Sequence, residues 1–234
     1  MFKRNLIAAF VIATLLGSCG NNSQSKDATT ADAQKKQDTS ANSSATTTPN
    51  ESTKNIVFFG NSLTAGYGVD PSEAFPAIIQ HKIDSLKLPY KVINGGLSGV
   101  TTAGGKGRID WLLQQPVDVF VLELGGNDGL RGIPVTETAS NLQAILDRVK
   151  AKYPNAKCML AGMQVPPNMG SKYASEFRAV YKQLADKNNI PLIPFLLEGV
   201  GGIADLNQAD GIHPTPKGHL LVAENVWVVL KGLL

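Results

Sequence analysis

Phe58-Phe59-Gly60-Asn61-Ser62-Leu63-Thr64-Ala65-Gly66-Tyr67-Gly68 is the stretch from which the rest of this chain is read: an apolar run breaks into a glycine-rich turn with a serine at its apex. Ile56 to Phe59 reads as a buried strand, and the residues after the turn lead into an amphipathic helix, so Ser62 is expected at the carboxyl end of a strand. Open α/β sheets place their ligands at that end. On its own, a serine after a strand is ordinarily a helix cap or a turn residue. The loops that follow later strands decide between the two readings.

Outward from this turn, strand and helix patterns alternate. Apolar strand patterns cover Ile56 to Phe59, Tyr90 to Ile93, Val117 to Leu124, Lys157 to Met163 and Pro191 to Ile193. Helical patterns cover Glu73 to Leu86, Thr102 to Gln115, Val135 to Lys152, Lys172 to Asn188 and Pro216 to Leu234. In the fourth helix Tyr173, Phe177, Val180, Tyr181 and Leu184 recur at helical spacing, which marks a core stripe. Repeated strand, helix and strand imply right-handed crossovers and a parallel sheet covered on both faces. The expected fold class is α/β, a three-layer α/β/α sandwich on a five-stranded parallel sheet, as one domain over residues 53–234.

Composition narrows the function. With 43% hydrophobic residues, 18% charged residues and a formal net charge of +3, the chain can bury one good core. Aromatics are only 6% and the basic residues are scattered, so neither a base-stacking platform nor a nucleic-acid surface is expected. The two cysteines are Cys19 and Cys158; the first falls before the expected domain, so no internal disulfide is expected and Cys158 reads as a buried strand thiol.

The amino-terminal part reads as an export signal. Lys3-Arg4 followed by the apolar Leu6 to Leu16 has the charge and the length for it. Leu16-Gly17-Ser18-Cys19 resembles the bacterial lipobox, which implies a signal peptide over 1–18, lipidation of Cys19 and a membrane-anchored mature chain. Gly20 in place of an aspartate favours the outer membrane, by resemblance to the sorting habit of enteric bacteria. Residues 19–52, rich in Ser, Thr, Asn, Gln, Ala and Lys, read as a flexible tether because they lack the apolar surface to offset ordering. The expected location is the cell envelope.

Three further loops carry chemistry. Asn94-Gly95-Gly96-Leu97-Ser98-Gly99-Val100 is glycine-rich, but it lacks the Lys-Ser/Thr ending of a P-loop and the dinucleotide spacing, leaving its backbone N–H groups for another anion. Gly125-Gly126-Asn127-Asp128 offers Asn127 as an uncharged donor or as an Asx-turn residue, with Asp128 as a turn or capping residue. In Asp210-Gly211-Ile212-His213-Pro214 an acid three residues before a histidine can fold back onto the imidazole Nδ1–H while Nε2 faces outward. Of the other histidines, His81 falls on a polar helix face and His219 reads as a capping or surface residue near the start of the last helix.

Together, Gly60-Asn61-Ser62-Leu63, Gly99, Gly126-Asn127-Asp128 and Asp210 to Pro214 resemble the four blocks of the SGNH (GDSL) hydrolases, and the resemblance spans the folded part in order. Gly125 to Gly132 and Pro191 to Phe195 are similar to the thioesterase I, lysophospholipase and arylesterase branch. The resemblance implies Ser62 as nucleophile, His213 as general base and then acid, and Asp210 as the group that orients the imidazole. It implies an oxyanion hole from the N–H groups of Ser62 and Gly99 and the Asn127 side chain. It calls for no metal and no cofactor, and its partner is a small-molecule or lipid ester; the chain is expected to be a monomer. Gly-x-Ser-x-Gly of the α/β-hydrolases does not fit, since Gly60 and Thr64 flank the serine. Two positions depart from the family pattern: Asn61 and Val100 stand where aspartates are usual. An apolar wall is expected from Met163 to Gly170 and Phe195-Leu196-Leu197. Lysophospholipids suit a lipid-tethered enzyme and a cytosolic acyl-CoA does not. A carbohydrate O-acetyl esterase and a binding lipoprotein without turnover remain the rival readings.

Overall fold

A computed structural model describes residues 53–234. The signal segment, Cys19 and the tether over 19–52 lie outside the described residues. Five strands, β1 Lys54–Gly60, β2 Tyr90–Asn94, β3 Val119–Glu123, β4 Lys157–Ala161 and β5 Leu192–Ile193, form one wholly parallel sheet in the order β2-β1-β3-β4-β5. The helices are α1 Ser62–Ala65, α2 Phe75–Ser85, α3 Thr102–Leu112, α4 Gly126–Leu130, α5 Val135–Lys152, α6 Ser171–Asn188 and α7 Pro216–Leu230. This is the expected three-layer α/β/α sandwich.

The direction of travel across the sheet reverses after β2. Right-handed connections therefore put α2 on one face and α3, α5 and α6 on the other, while α7 returns to pack on α2. Ile56 to Phe59 and Phe120 to Leu122 are almost completely excluded from solvent, as central strands covered on both faces must be. The reversal also opens a crevice beyond the carboxyl ends of β1 and β3, whose last residues, Gly60 and Glu123, are paired in register. Ser62 and Asn127 follow those two strands directly.

Element ends differ from the sequence expectation for local reasons. The third helix stops at Leu112, short of the expected Gln115, because Pro116 drives the preceding residue out of the helical region. The Tyr153 hydroxyl lies 3.0 Å from the Leu113 carbonyl and 2.8 Å from that of Gln115, which ties the unravelled end. The third strand starts at Val119 because the Asp118 side chain accepts the Asn55 N–H at 2.7 Å. After Ser62 there is only one helical turn, closed by Gly66 in the left-handed region (φ 76°), before the 3-10 turn Pro71–Glu73 opens the long helix α2. Cys158 is a buried β4 thiol, and burial pushes its pKa up to about 11.

His219 corrects the expectation of a surface residue: it is 1% exposed. Its Nδ1 accepts the Phe75 N–H at 3.3 Å, and its ring stacks on Phe75 with centroids 6.2 Å apart. The first N–H of α2 thus has an acceptor supplied from α7.

Candidate active site

The nucleophile turn is built from its cap outward. Asn61 is the N-cap of α1, and its Oδ1 accepts the Leu63 N–H at 2.9 Å, so Ser62 becomes the first helical residue, with no intrahelical acceptor for its own N–H. Gly60 must lack a side chain, because a Cβ there would run into Thr64 Oγ1 and Glu123 Oε2.

From the other end of the chain, Thr215 caps α7 and Pro216 starts it, which fixes the loop that carries His213. Asp210 Oδ1 accepts the N–H groups of Ile212 (2.9 Å) and His213 (3.0 Å), folding the loop back on itself. Its other oxygen, Oδ2, lies 2.6 Å from His213 Nδ1, and His213 Nε2 lies 2.8 Å from Ser62 Oγ. With Nδ1–H donating to the carboxylate, Nε2 is the acceptor for the serine hydroxyl. The His213 side chain and the two backbone N–H groups hold the Asp210 carboxyl down at about 2. The three side chains can therefore pass the serine proton to the imidazole and stabilise the resulting cation.

Asn127 lies in the first turn of α4, after Gly125 adopts φ 110° to turn the chain off β3. One of its Nδ2 hydrogens goes to the Val100 carbonyl at 2.9 Å, which leaves a single amide hydrogen for a ligand. Gly99 (φ 77°) sits on the neighbouring loop, off the lining of the cleft, and its carbonyl accepts from Arg131 Nη2 at 3.1 Å. Asp128 turns out to cap a different helix: fully buried, it accepts from the backbone N–H and hydroxyl of Thr102 at the start of α3. That is the capping role expected of it, exercised across the sheet.

A cleft of about 510 Å³ opens over Ser62 and His213. Leu63, Leu130, Met163, Val165, Phe195, Leu197 and Ile212 make it mainly apolar, with Asn61, Asn127 and His213 among its polar groups. Of the expected wall, Met163 to Pro167, Phe195 and Leu197 line the cleft, whereas Asn168, Met169 and Gly170 do not and Leu196 is fully buried in the core. Among the described residues no group of three or more His, Cys, Asp or Glu side chains is arranged to hold a metal ion.

Three residues at the site were missing from the sequence expectation. The Tyr67 ring lies 4.7 Å from the His213 ring, centroid to centroid. Gln208 Nε2 donates to the carbonyls of Tyr67 (2.7 Å) and Pro214 (3.0 Å), fastening the serine loop to the histidine loop. Glu123, 1% exposed, accepts from Asn61 and Thr64. A lone acid closing an apolar strand just before Gly-Gly was the available signal for the last, because a buried carboxyl demands partners.

A family model described as GDSL-like Lipase/Acylhydrolase matches residues 58–221, a span that contains Ser62, Asn127, Asp210 and His213. The chain belongs to the GDSL-like lipase/acylhydrolase family. Within this family it is 40% identical over 180 residues to Esterase TesA of Pseudomonas aeruginosa, covering 76% of this chain and 89% of that protein. It is 39% identical over 170 residues to Thioesterase 1/protease 1/lysophospholipase L1 of Escherichia coli, covering 72% and 79%. Among solved structures, the psychrotrophic esterase EstA from Pseudoalteromonas sp., inhibited by monoethylphosphonate, superposes with a TM-score of 0.72 at 33% identity, covering 76% of this chain and 97% of that one. The sandwich described above is thus the fold of GDSL-family hydrolases.

Proposed function

We propose that this GDSL-family chain is a serine esterase that hydrolyses acyl or aryl esters or thioesters. The observation that carries the reading is the Ser62 Oγ to His213 Nε2 to Asp210 relay, at 2.8 and 2.6 Å, beside an apolar cleft. Ser62 attacks the ester carbonyl while His213 takes its proton; the leaving alcohol or thiol departs with that proton, and water repeats the sequence on the acyl-enzyme. The Ser62 N–H and the remaining Asn127 amide hydrogen, both at the cleft, receive the developing oxyanion, each donor contributing about 3 to 4 kcal/mol, and the Gly99 N–H on the neighbouring loop is the third donor that the family resemblance implies. The names of the relatives, esterase and thioesterase/lysophospholipase, support the same bond class. Lipidation of Cys19, export by residues 1–18 and a cell-envelope location form part of the proposal, supported by the charge, apolar run and lipobox-like Leu16-Gly17-Ser18-Cys19 of the sequence.

A p-nitrophenyl ester series from acetate to palmitate tests the reading. Turnover of wild type that rises beyond acetate and disappears in Ser62→Ala is expected. Activity confined to acetate and acetylated glycans would replace the reading with an O-acetyl esterase, and no turnover of folded protein would leave a binding protein.

A further inference from the structure

Burial at the nucleophile turn raises a question the relay does not answer: what fixes Ser62 Oγ in front of the imidazole. Ser62 is flanked by two polar side chains with almost no exposure, Asn61 at 2% and Thr64 at 0%, and beneath them lies Glu123 at 1%. Glu123 Oε1 accepts from Asn61 Nδ2 at 2.7 Å. Its other oxygen, Oε2, accepts from the Asn61 backbone N–H at 3.1 Å and from the Thr64 hydroxyl at 2.8 Å. One carboxylate at the end of β3 therefore grips the chain on both sides of the serine. Buried polar groups of this kind are costly unless matched, so the direction of each hydrogen bond is fixed.

Those directions form a one-way chain. Asn61 Oδ1 must face the Leu63 N–H, which it accepts at 2.9 Å as the helix cap. Turning the amide over would set its NH2 against that N–H, so Nδ2 is committed to Glu123. With its carboxyl ionised, Glu123 in turn presents bare oxygen on both sides. We propose that Asn61 and Glu123 are a polarity-matched positioning pair: Glu123, acting through Asn61 and Thr64, holds Ser62 in register with His213. This rests on the esterase reading above and adds to it a residue that touches neither substrate nor reacting atoms. It also accounts for an asparagine in the nucleophile block. An aspartate at 61 would bring two carboxyls to 2.7 Å, which only a shared proton could hold. Burial pushes the Glu123 carboxyl up to about 7 even among its three donors, so a second carboxylate beside it would add to a cost of charge that is already high.

The pair makes a reciprocal prediction that simple damage does not. In Glu123→Gln the new NH2 opposes donors, and no rotation of either amide satisfies all of them. In the double variant N61D/E123Q every bond is restored with one polarity reversed: Asp Oδ1 accepts from Leu63 N–H, Asp Oδ2 accepts from the Gln Nε2–H, and Gln Oε1 accepts from the backbone N–H of residue 61 and from Thr64.

The test measures kcat and KM on p-nitrophenyl butyrate, the rate of fluorophosphonate labelling and the thermal midpoint, for wild type, E123Q and N61D/E123Q. At about pH 8.5, where the carboxyl is ionised, and well below each midpoint, E123Q is expected to lose at least about tenfold in kcat and in labelling rate with KM within about twofold. The double variant is expected to return to within about threefold of wild type. A folded E123Q with wild-type kcat overturns the inference, as does a double variant no faster than E123Q. If E123Q does not fold, the double variant decides: folded and within about threefold of wild type it upholds the pair, and unfolded or more than about tenfold slow it overturns it. A wild type that neither turns over nor labels removes the esterase reading and the pair's role with it, whereas an active wild type beside an equally active E123Q removes the pair alone.

Discussion

His213 Nε2 stands 2.8 Å from Ser62 Oγ although 151 residues separate the two in the chain. The contact exists because β1 sits beside β3 in the sheet, where the strand order reverses, and because the Thr215-capped start of α7 brings the histidine loop back over that crevice. Gln208 ties the two loops together.

Removing the hydroxyl takes away the attacking atom but leaves the cradle. Ser62→Ala is expected to lower kcat by about 10⁴-fold or more, with the fold and thermal midpoint retained. Because the relay acts as a unit, adding His213→Ala to Ser62→Ala should cost almost nothing further. Steady-state kinetics on the single and double variants check this, and two independent, additive losses would argue against a relay.

Asp210→Asn keeps an oxygen for the Ile212 and His213 N–H groups but turns an NH2 toward Nδ1, which forces the imidazole into the wrong tautomer. A fall in kcat of about 10²- to 10⁴-fold with near-normal KM is expected. Since the histidine bonds hold the wild-type carboxyl at about 2, Asp210 stays ionised through the weakly acid range. A pH-rate profile whose acid limb follows the Asp210 carboxyl within that range would contradict the assignment.

Asn127→Ala removes the side-chain donor to the oxyanion together with the bond to the Val100 carbonyl. A drop of about 10²- to 10³-fold in kcat is expected, with KM little changed. Unaltered kcat in a folded Asn127→Ala protein would exclude this residue from the oxyanion cradle.

Val165 lines the cleft, so Val165→Trp should shorten the space for an acyl chain. For octanoate esters kcat/KM is expected to fall about tenfold while acetate stays within about twofold. Equal losses on both esters would place the acyl chain elsewhere.

His219 supplies a pH-dependent share of stability. Burial holds its pKa down at about 4, against an ordinary imidazole value of 6.5. Between pH 6.5 and 4 the unfolded chain binds a proton that the folded chain refuses. Stability is therefore lost as pH falls through that window, by up to about 3 kcal/mol. His219→Asn keeps an acceptor for the Phe75 N–H without titrating, so the difference between variant and wild-type unfolding free energies should change across this window and flatten below it. Taking the difference cancels the opposite slope from Glu123, whose raised pKa makes its contribution fall as pH rises from 4.5 to about 7. A difference that is constant with pH would show that His219 titrates alike in both states.

The sheet, its parallel sense and the loops that bear Ser62, Asn127, Asp210 and His213 were legible because they rest on local signals. These are apolar runs ending in glycine-rich turns, and an acid three residues from a histidine. The partners of Glu123 and His219 were not, because both are set by tertiary pairing: Glu123 meets Asn61 across 62 residues and His219 meets Phe75 across 144. Strand ends were misjudged where a side chain, such as Asp118, competes for a backbone N–H. The apolar wall was legible in kind but not in detail, since the sequence does not say that Leu196 turns into the core while Phe195 and Leu197 face the cleft.

The central claim is that the hydroxyl at position 62 is an activated nucleophile, and intact-protein mass spectrometry after fluorophosphonate treatment tests it most directly. Stoichiometric addition of one phosphonyl group to wild type, mapped to the peptide containing Ser62 and absent from Ser62→Ala, is the predicted result. Folded wild type that gains no mass, or a Ser62→Ala variant that labels as fast as wild type, would contradict it.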